Sequence, residues 1–307
     1  MLGINKPTSL RGNFTRNKYF EGWFQKVYST KHKASFVIIY GYATRNSYEN
    51  FGFIQLLIPD KAPEILYFSK NEISFDAERH IVRMGDNLLT TELISIKSND
   101  IAIDLNLLNN QPIGTFKNSM GYTYYIPKLP CYHSVLNTSH SVSGEIQFKK
   151  AQYLLEKEIG YLEKNWGTSF PENYCWLHAV DPNDSQISLL FSLAEIKWLG
   201  KKFIKHVGHF RFDGTQIDLR ELNNIAVAYL TLSRNKQVIR ITSKTILIEI
   251  SITVGNKVIF KGPAEGKLSR DIIHFTDEVI DVSLTQNDKT RMFQLVGNFE
   301  NIGALGF

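Results

Sequence analysis

Residues 246–254 read Ile-Leu-Ile-Glu-Ile-Ser-Ile-Thr-Val, with a branched apolar side chain at every second position. Successive side chains of an extended strand point to opposite faces. The four isoleucines and Val254 therefore share one face, and Leu247, Glu249, Ser251 and Thr253 share the other. This alternation predicts a half-buried β-strand.

The same period of two recurs along most of the chain. Asp213-Gly214 lies between two alternating stretches and predicts a hairpin, and Gly255-Asn256 predicts a second one. The best helical candidate, Lys150–Glu158, is short. Many short strands with little helix predict an all-β protein built from barrels or sandwiches. Further strands are predicted at 36–42, 51–58, 101–107, 187–193, 225–232, 238–242 and 291–298.

The chain is predicted to divide near its middle, into residues 1–150 and 151–307. Each half carries a glutamate shortly before a tryptophan, in Glu21-Gly22-Trp23 and in the stretch from Glu163 to Trp166. This similarity indicates a tandem repeat of one barrel fold. Because no linker rich in proline, glycine or serine separates the halves, they are expected to pack together.

Composition narrows the class of partner. Of the 307 residues 43% are hydrophobic and 12% aromatic, which favours a sizeable core and aromatic-lined cavities. The net charge of +5 is spread along the chain, so no nucleic-acid partner is expected. The densest basic stretches, 31–33 and 201–206, are interpreted as solvated loops or strand edges. The alternative is weak attraction to an anionic membrane surface.

Several kinds of chemistry are disfavoured. Cys131 and Cys175 are the only cysteines, which argues against a disulfide framework and a multi-cysteine zinc site. Nucleotide-binding, zincin and α/β-hydrolase motifs are absent from the sequence, so no cofactor and no metal are expected. There is no apolar signal core and no apolar run of about 18 residues, so a cytoplasmic location is expected.

Three stretches have an unusual composition: KYFEGWFQKV at 18–27, GYTYYIPKLPCYHSVL at 121–136, and GYLEKNWGTSFP at 160–171. In this order they resemble the tocopherol cyclase family, in which Y-F-E-G-W, C-Y-H-x-V-L and E-K-(N/D)-W-G-x-x-F-P segments recur. The resemblance implies two lipocalin-like antiparallel β-halves, related to carotenoid hydratases. Plant members close a chromanol ring on a prenylated quinol without a redox cofactor. Residues 123–130 depart from the more apolar run of the plant enzymes.

Closing a phenol onto an alkene requires an acid that protonates the alkene, electron-rich faces that stabilise the cation, and a base. A carboxylic acid in an apolar pocket, with a raised pKa, can supply the proton. The candidate catalytic residues are Glu163, His133 and Glu21. The candidate substrate-binding residues, taken from the same three segments, are Trp23, Trp166, Tyr132, Lys164 and Tyr19.

Each candidate also has a structural interpretation. Glu163 and Lys164 fit a surface pair on opposite faces of a strand, and Glu21 fits a turn cap. Trp23 and Trp166 fit plugs at a barrel end. A nucleophilic pair of Cys131 with the nearby histidine is disfavoured.

Two functions remain open from the sequence. The first is a cofactor-independent cyclase, hydratase or isomerase acting on a prenylated or polyene-like lipid. The second is a lipocalin-like binder or carrier of a lipophilic ligand without chemistry. Both predict a large apolar cavity, and the common-site hypothesis predicts that the three segments converge in space.

Overall fold

The chain folds almost entirely into β-strands. The computed structural model describes residues 10–11, 14–46, 48–76, 79–111, 119–220, 224–233 and 235–303. In these ranges the only helical segments are the short 3₁₀ turns Lys70–Glu72 and Gly121–Tyr125. The predicted all-β class with very little helix is confirmed. Nowhere in the described ranges is a helix long and apolar enough to cross a membrane.

The first sheet contains eleven strands in the order β4-β3-β2-β1-β11-β10-β9-β8-β7-β6-β5. The pairs formed along it are antiparallel. Its strands are β1 (Tyr19–Ser29), β2 (Ala34–Thr44), β3 (Asn50–Leu57), β4 (Glu64–Ser69), β5 (Ile73–Asp76), β6 (Ile81–Met84), β7 (Asn87–Leu89), β8 (Leu93–Ser98), β9 (Ile101–Gln111), β10 (Cys131–Phe148) and β11 (Ala151–Gly167).

The second sheet follows the order β15-β14-β13-β12-β21-β20-β18-β17-β16, and β19 also pairs with β20. Its strands are β12 (Tyr174–Val180), β13 (Ser188–Trp198), β14 (Lys201–Phe212), β15 (Thr215–Asp218), β16 (Ala226–Ser233), β17 (Lys236–Thr242), β18 (Ile246–Thr253), β19 (Lys257–Ala264), β20 (Lys267–Gln286) and β21 (Lys289–Ile302).

Of the two hairpins predicted from the sequence, the structure contains one. Asp213-Gly214 connects β14 to β15 with both φ angles positive, at 47° and 71°, as the tight hairpin turn requires. The second predicted hairpin, at Gly255-Asn256, is wrong as a pairing, because β18 and β19 each pair with β20. Local sequence carried no information about which strand would be the partner of β18.

The predicted helix at Lys150–Glu158 is wrong. Residues from Ala151 onward form β11, which turns back on β10 so that Phe148 faces Ala151 and Ile146 faces Tyr153. Hydrogen bonding to a neighbouring strand satisfies the backbone and buries alternate side chains, which outweighs the modest helix propensity of this segment.

The chain forms two compact units. The first combines 1–119, 130–170 and 260–271, and the second combines 120–129, 171–259 and 272–307. The predicted domain boundary at residue 150 stays a prediction, but β11 begins there and pairs within the first sheet.

Each unit has its own apolar core on one face of its sheet. In the first unit, large buried side chains such as Trp23, Tyr40 and Leu162 pack with aliphatic residues of β3 and of β6 to β10. In the second unit, Leu177, Phe210 and the isoleucines of β18 form the corresponding core. The alternation of residues 246–254 therefore orients Ile248, Ile250 and Ile252 inward.

Candidate active site

The three family-like segments lie on adjacent strands. β11 is flanked by β1 on one side and by β10 on the other. Trp23 faces Lys164 across the first pair, and Lys164 faces Ser134 across the second. The predicted convergence of the segments is confirmed, although more than 100 residues separate β1 from β10.

Strand alternation divides the candidate side chains between the two faces of this three-strand region. Glu163 and His133 lie on one face. The other face, which turns toward the core of the first unit, carries the six remaining candidates: Tyr19, Glu21, Trp23, Tyr132, Lys164 and Trp166. The candidate catalytic residues Glu163 and His133 therefore do not share a face with the candidate substrate-binding residues.

The core-facing side is built around an ion pair between Lys164 and Glu21. Both side chains have no solvent-exposed surface. The Glu21 carboxylate also accepts hydrogen bonds from the Tyr19 and Tyr42 hydroxyls, each at 3.0 Å, and from the backbone N–H of Arg11 at 2.8 Å. Buried polar groups normally have partners of this kind, and here the carboxylate contacts one ammonium group and three donors. The turn-capping role considered for Glu21 is replaced by a role in a buried network.

Aromatic rings enclose the Lys164 ammonium group. Its Nζ lies 5.0 Å from the Trp23 ring centroid and 5.3 Å from that of Trp166. Tyr40 stacks on Trp23 at 5.4 Å, and Tyr132 stacks on Trp166 at 5.5 Å. Burial lowers the pKa of Lys164 and outweighs the attraction of the neighbouring carboxylate. The faces expected to stabilise a substrate cation thus already contact a cation of the protein.

A small pocket lies beside this cluster, lined by Trp23, Phe75 and His80 among others, with a volume of about 10 Å³. This volume accommodates about one water molecule. In this conformation the pocket does not accommodate a prenylated quinol, so the predicted large cavity is not found at this place.

The opposite face carries a carboxylate–imidazole pair. His133 Nε2 lies 3.0 Å from Glu163 Oε2. The same carboxylate accepts hydrogen bonds from the Tyr161 hydroxyl at 2.6 Å and from Asn165 Nδ2 at 2.9 Å. Tyr161 and Asn165 are two residues before and after Glu163, so alternation places all three side chains on one face.

These contacts reverse the expected charge state of Glu163. Burial by itself raises the pKa of the carboxyl group. The charge of His133 and the hydrogen bonds from His133, Tyr161 and Asn165 lower it further than burial raises it, so the pKa lies below its usual value. An ionised carboxylate has no proton to give. In this arrangement the Glu163 carboxylate can orient the His133 ring and stabilise positive charge on it.

The other ring nitrogen of His133 faces Ser119, with Nδ1 3.4 Å from Ser119 Oγ. The Ser119 hydroxyl also donates to the His133 carbonyl oxygen and accepts from the Val135 N–H, both at 3.1 Å. The side chain of His133 is 14% exposed, compared with 6% for Glu163. His133 is thus the more accessible member of the pair. The sequence did not indicate Ser119, because it belongs to no motif. Its contact with β10 depends on the tertiary fold.

Cys131 does not form a nucleophilic pair with His133. Burial, and then the negative charge of Glu163, raise the pKa of its thiol, so the reactive thiolate is disfavoured. Within the ranges that the structure describes, no cluster of three or more histidine, cysteine or acidic side chains could hold a metal ion.

The second unit contains a similar pair that the sequence analysis also missed. His274 Nδ1 lies 2.7 Å from Glu300, which accepts a further hydrogen bond from the Tyr174 hydroxyl at 2.7 Å. Asn298 Nδ2 lies 2.9 Å from the other ring nitrogen of His274. His274 is completely buried and both of its ring nitrogens are engaged, which fits a structural network better than proton transfer.

The fold is all-β, with two antiparallel sheets, and part of the chain is similar to a known family. Residues 110–201 match the family model described as "Tocopherol cyclase-like", which confirms the resemblance seen in the sequence. The matched range includes the strands that carry His133, Glu163 and Lys164. No curated protein matches the chain.

Several solved structures share the fold. CghA in complex with Sch210972 is 9% identical, with a TM-score of 0.61 over 92% of this chain and 88% of CghA. A putative AttH from Nitrosomonas europaea is 15% identical, with a TM-score of 0.53 over 91% of each chain. Kievitone hydratase from Nectria haematococca is 10% identical, with a TM-score of 0.53 over 99% of this chain and 92% of the hydratase.

Proposed function

We propose that this protein is an enzyme that acts on a lipophilic small molecule, with His133 as its general acid–base residue and Glu163 as the carboxylate that positions it. The observation that carries the proposal is the buried, ionised Glu163 beside a partly accessible imidazole. Such a carboxylate stabilises the protonated imidazole and fixes the ring orientation. The solved structures that share the fold include a protein named as a hydratase, which supports acid–base chemistry.

In the proposed reaction the imidazolium of His133 transfers its proton to an alkene carbon of a prenylated or polyene-like substrate. The resulting tertiary cation is captured by an internal phenol oxygen, which gives a ring, or by water, which gives a hydrated product. Loss of a neighbouring proton gives an isomer instead. In each case the neutral imidazole recovers one proton, so no oxidant or reductant is consumed.

The first test is turnover of prenylated hydroquinone analogues. His133→Asn removes the acid and is expected to lower kcat by about 10²–10⁴-fold with little change in analogue binding. Glu163→Gln keeps the shape but removes the charge that positions and stabilises the imidazolium, and is expected to lower kcat. His32→Asn and Glu64→Gln are the matched controls. If conversion proceeds normally in both site variants, His133 and Glu163 are not the acid–base pair.

The alternative function is a binder or carrier without chemistry. It is favoured by the Lys164 ammonium, which contacts the aromatic faces that a substrate cation would need. CghA was solved with a small molecule bound, which is compatible with either function. If the wild-type protein binds the analogues and never converts them, the carrier function is correct. Native mass spectrometry of protein purified from its own host would identify what it carries.

A further inference from the structure

The turn between β13 and β14 has an unusual residue at its tip. Leu199 is 73% exposed and adopts a left-handed backbone conformation, with φ at 48°. The other non-glycine residues with positive φ in the described ranges are lysine, aspartate, asparagine, glutamate or histidine, so Leu199 is the apolar exception. This conformation is costly for a branched apolar residue, and asparagine or glycine would fit it better. Because most of the Leu199 side chain is exposed, its packing against the rest of the chain offsets little of this conformational cost.

More exposed apolar surface lies beside this turn. The indole N–H of Trp198 donates to the Pro127 carbonyl oxygen at 2.7 Å, and Lys205 Nζ lies 2.5 Å from the Tyr122 hydroxyl. These two contacts hold residues 120–129 against the ends of β13 and β14. In that segment Tyr125 is 63% exposed and Tyr122 is 46% exposed. We call Tyr122, Tyr125, Lys128, Leu199 and Lys201 the tip surface.

The charge around the tip surface is strongly positive. Residues 120–129 and 194–205 contain five lysines and one glutamate, and no aspartate or arginine. The glutamate, Glu195, pairs with Lys202 at 2.9 Å, and Lys197 pairs with Glu172 from outside the two segments. Lys128 and Lys201 are exposed. A surface of exposed tyrosine, leucine and lysine is complementary to an anionic surface that also accepts apolar side chains.

We propose that the tip surface docks this protein on an anionic phospholipid membrane. Leu199 and the two tyrosines enter the interfacial layer, where aromatic rings are favoured, while Lys128 and Lys201 contact the lipid headgroups. This proposal goes beyond the catalytic or carrier function and does not depend on either. Docking would place the protein at the membrane, where a lipophilic ligand is concentrated.

The test is flotation of the intact protein with phosphatidylcholine vesicles, with and without about one third phosphatidylserine. Binding is expected only with the anionic vesicles, and it should weaken as salt shortens the Debye length. Leu199→Asn and Lys201→Glu are each expected to lower the partition coefficient by about fivefold or more. Asparagine suits the left-handed turn, so the thermal midpoint of Leu199→Asn should be equal to or above that of wild type.

Two matched control variants distinguish binding through the tip surface from non-specific binding to vesicles. Leu108→Asn changes another exposed leucine, which is 58% exposed, and Lys236→Glu changes another exposed lysine. Both variants should bind the anionic vesicles as wild type does. The proposal is overturned if wild type does not float with anionic vesicles, or if the control variants lose as much binding as the tip variants. Turnover of soluble analogues is a separate measurement, so its failure leaves this result unaffected.

Discussion

Lys164 and Glu21 illustrate how the first unit accommodates charge in its interior. Removing one partner of a buried ion pair leaves the other uncompensated, so we expect Lys164→Met to lower the free energy of unfolding by about 3–5 kcal/mol. The double variant Lys164→Met/Glu21→Gln should recover part of this loss. Urea denaturation measures both. Lys197→Met, in an exposed pair, should cost less than about 1 kcal/mol. A similarly small loss for Lys164→Met would show that the buried pair does not hold the core.

His140 provides a residue-scale prediction about pH. Burial lowers its pKa to about 3, compared with an ordinary value of 6.5. Between these values the unfolded chain binds a proton that the folded chain does not, so stability falls as the pH falls. The expected slope is about 1.4 kcal/mol per pH unit below about pH 6.5.

The measurement is urea denaturation at several values between pH 7 and pH 4.5. His140→Gln should be less stable at neutral pH, but its stability should depend less on pH. His32→Gln, at a half-buried site, should keep the wild-type slope. An unchanged slope in His140→Gln would assign the acid sensitivity to other groups.

At this scale the sequence identified the right residues but not their charge states. The alternation of side chains along a strand already implies that Glu163 and Lys164 point to opposite faces. It does not reveal that both faces of β11 are buried here, as the burial of residues 158–164 shows. The lowered pKa of Glu163 depends on His133, which lies 30 residues away in the sequence. Long-range contacts of this kind have no local signature.

At the scale of elements, β1 and β2 approach closely where Gly22 faces Gly41. A β-carbon at Gly41 would lie 2.3 Å from the Glu21 carbonyl oxygen and 2.6 Å from the Gly22 Cα, and backbone atoms of paired strands cannot move aside cheaply. At Gly22 the nearest atom, the Tyr40 carbonyl oxygen, would be 3.4 Å away. The two glycines face each other across the strand pair, but only Gly41 lacks room for a β-carbon, so Gly22 is a matched control for Gly41.

We expect Gly41→Ala to destabilise the protein by about 1–3 kcal/mol through this overlap. Gly22→Ala should change stability by less than about 1 kcal/mol, because its β-carbon meets only ordinary contacts. Thermal and urea denaturation of the two variants, side by side, provide the measurement. Equal effects would mean that the strands separate slightly at this point to admit a side chain.

At the scale of the whole molecule, the sequence predicted the class and most strands, but not the order of strands in the sheets. Alternation at 36–42 and 246–254 depends on nearby residues, and it was recovered in β2 and β18. The β1–β11 pairing joins Trp23 to Lys164, which no short-range pattern encodes. Such distant pairings depend on closing a long loop, whose entropy cost is independent of local sequence.

The strand order leads to a prediction about the proposed boundary at residue 150. A fragment of residues 1–150 lacks β11 and therefore leaves β1 and β10 with unpaired edges next to an exposed apolar core. We expect this fragment to lack a cooperative thermal transition and to bind a hydrophobic dye. A fragment of residues 1–170 keeps β11 and should show more β structure by circular dichroism. If the shorter fragment unfolds cooperatively, with a midpoint equal to that of the longer one, then residue 150 is a true domain boundary and β11 is dispensable for the first unit.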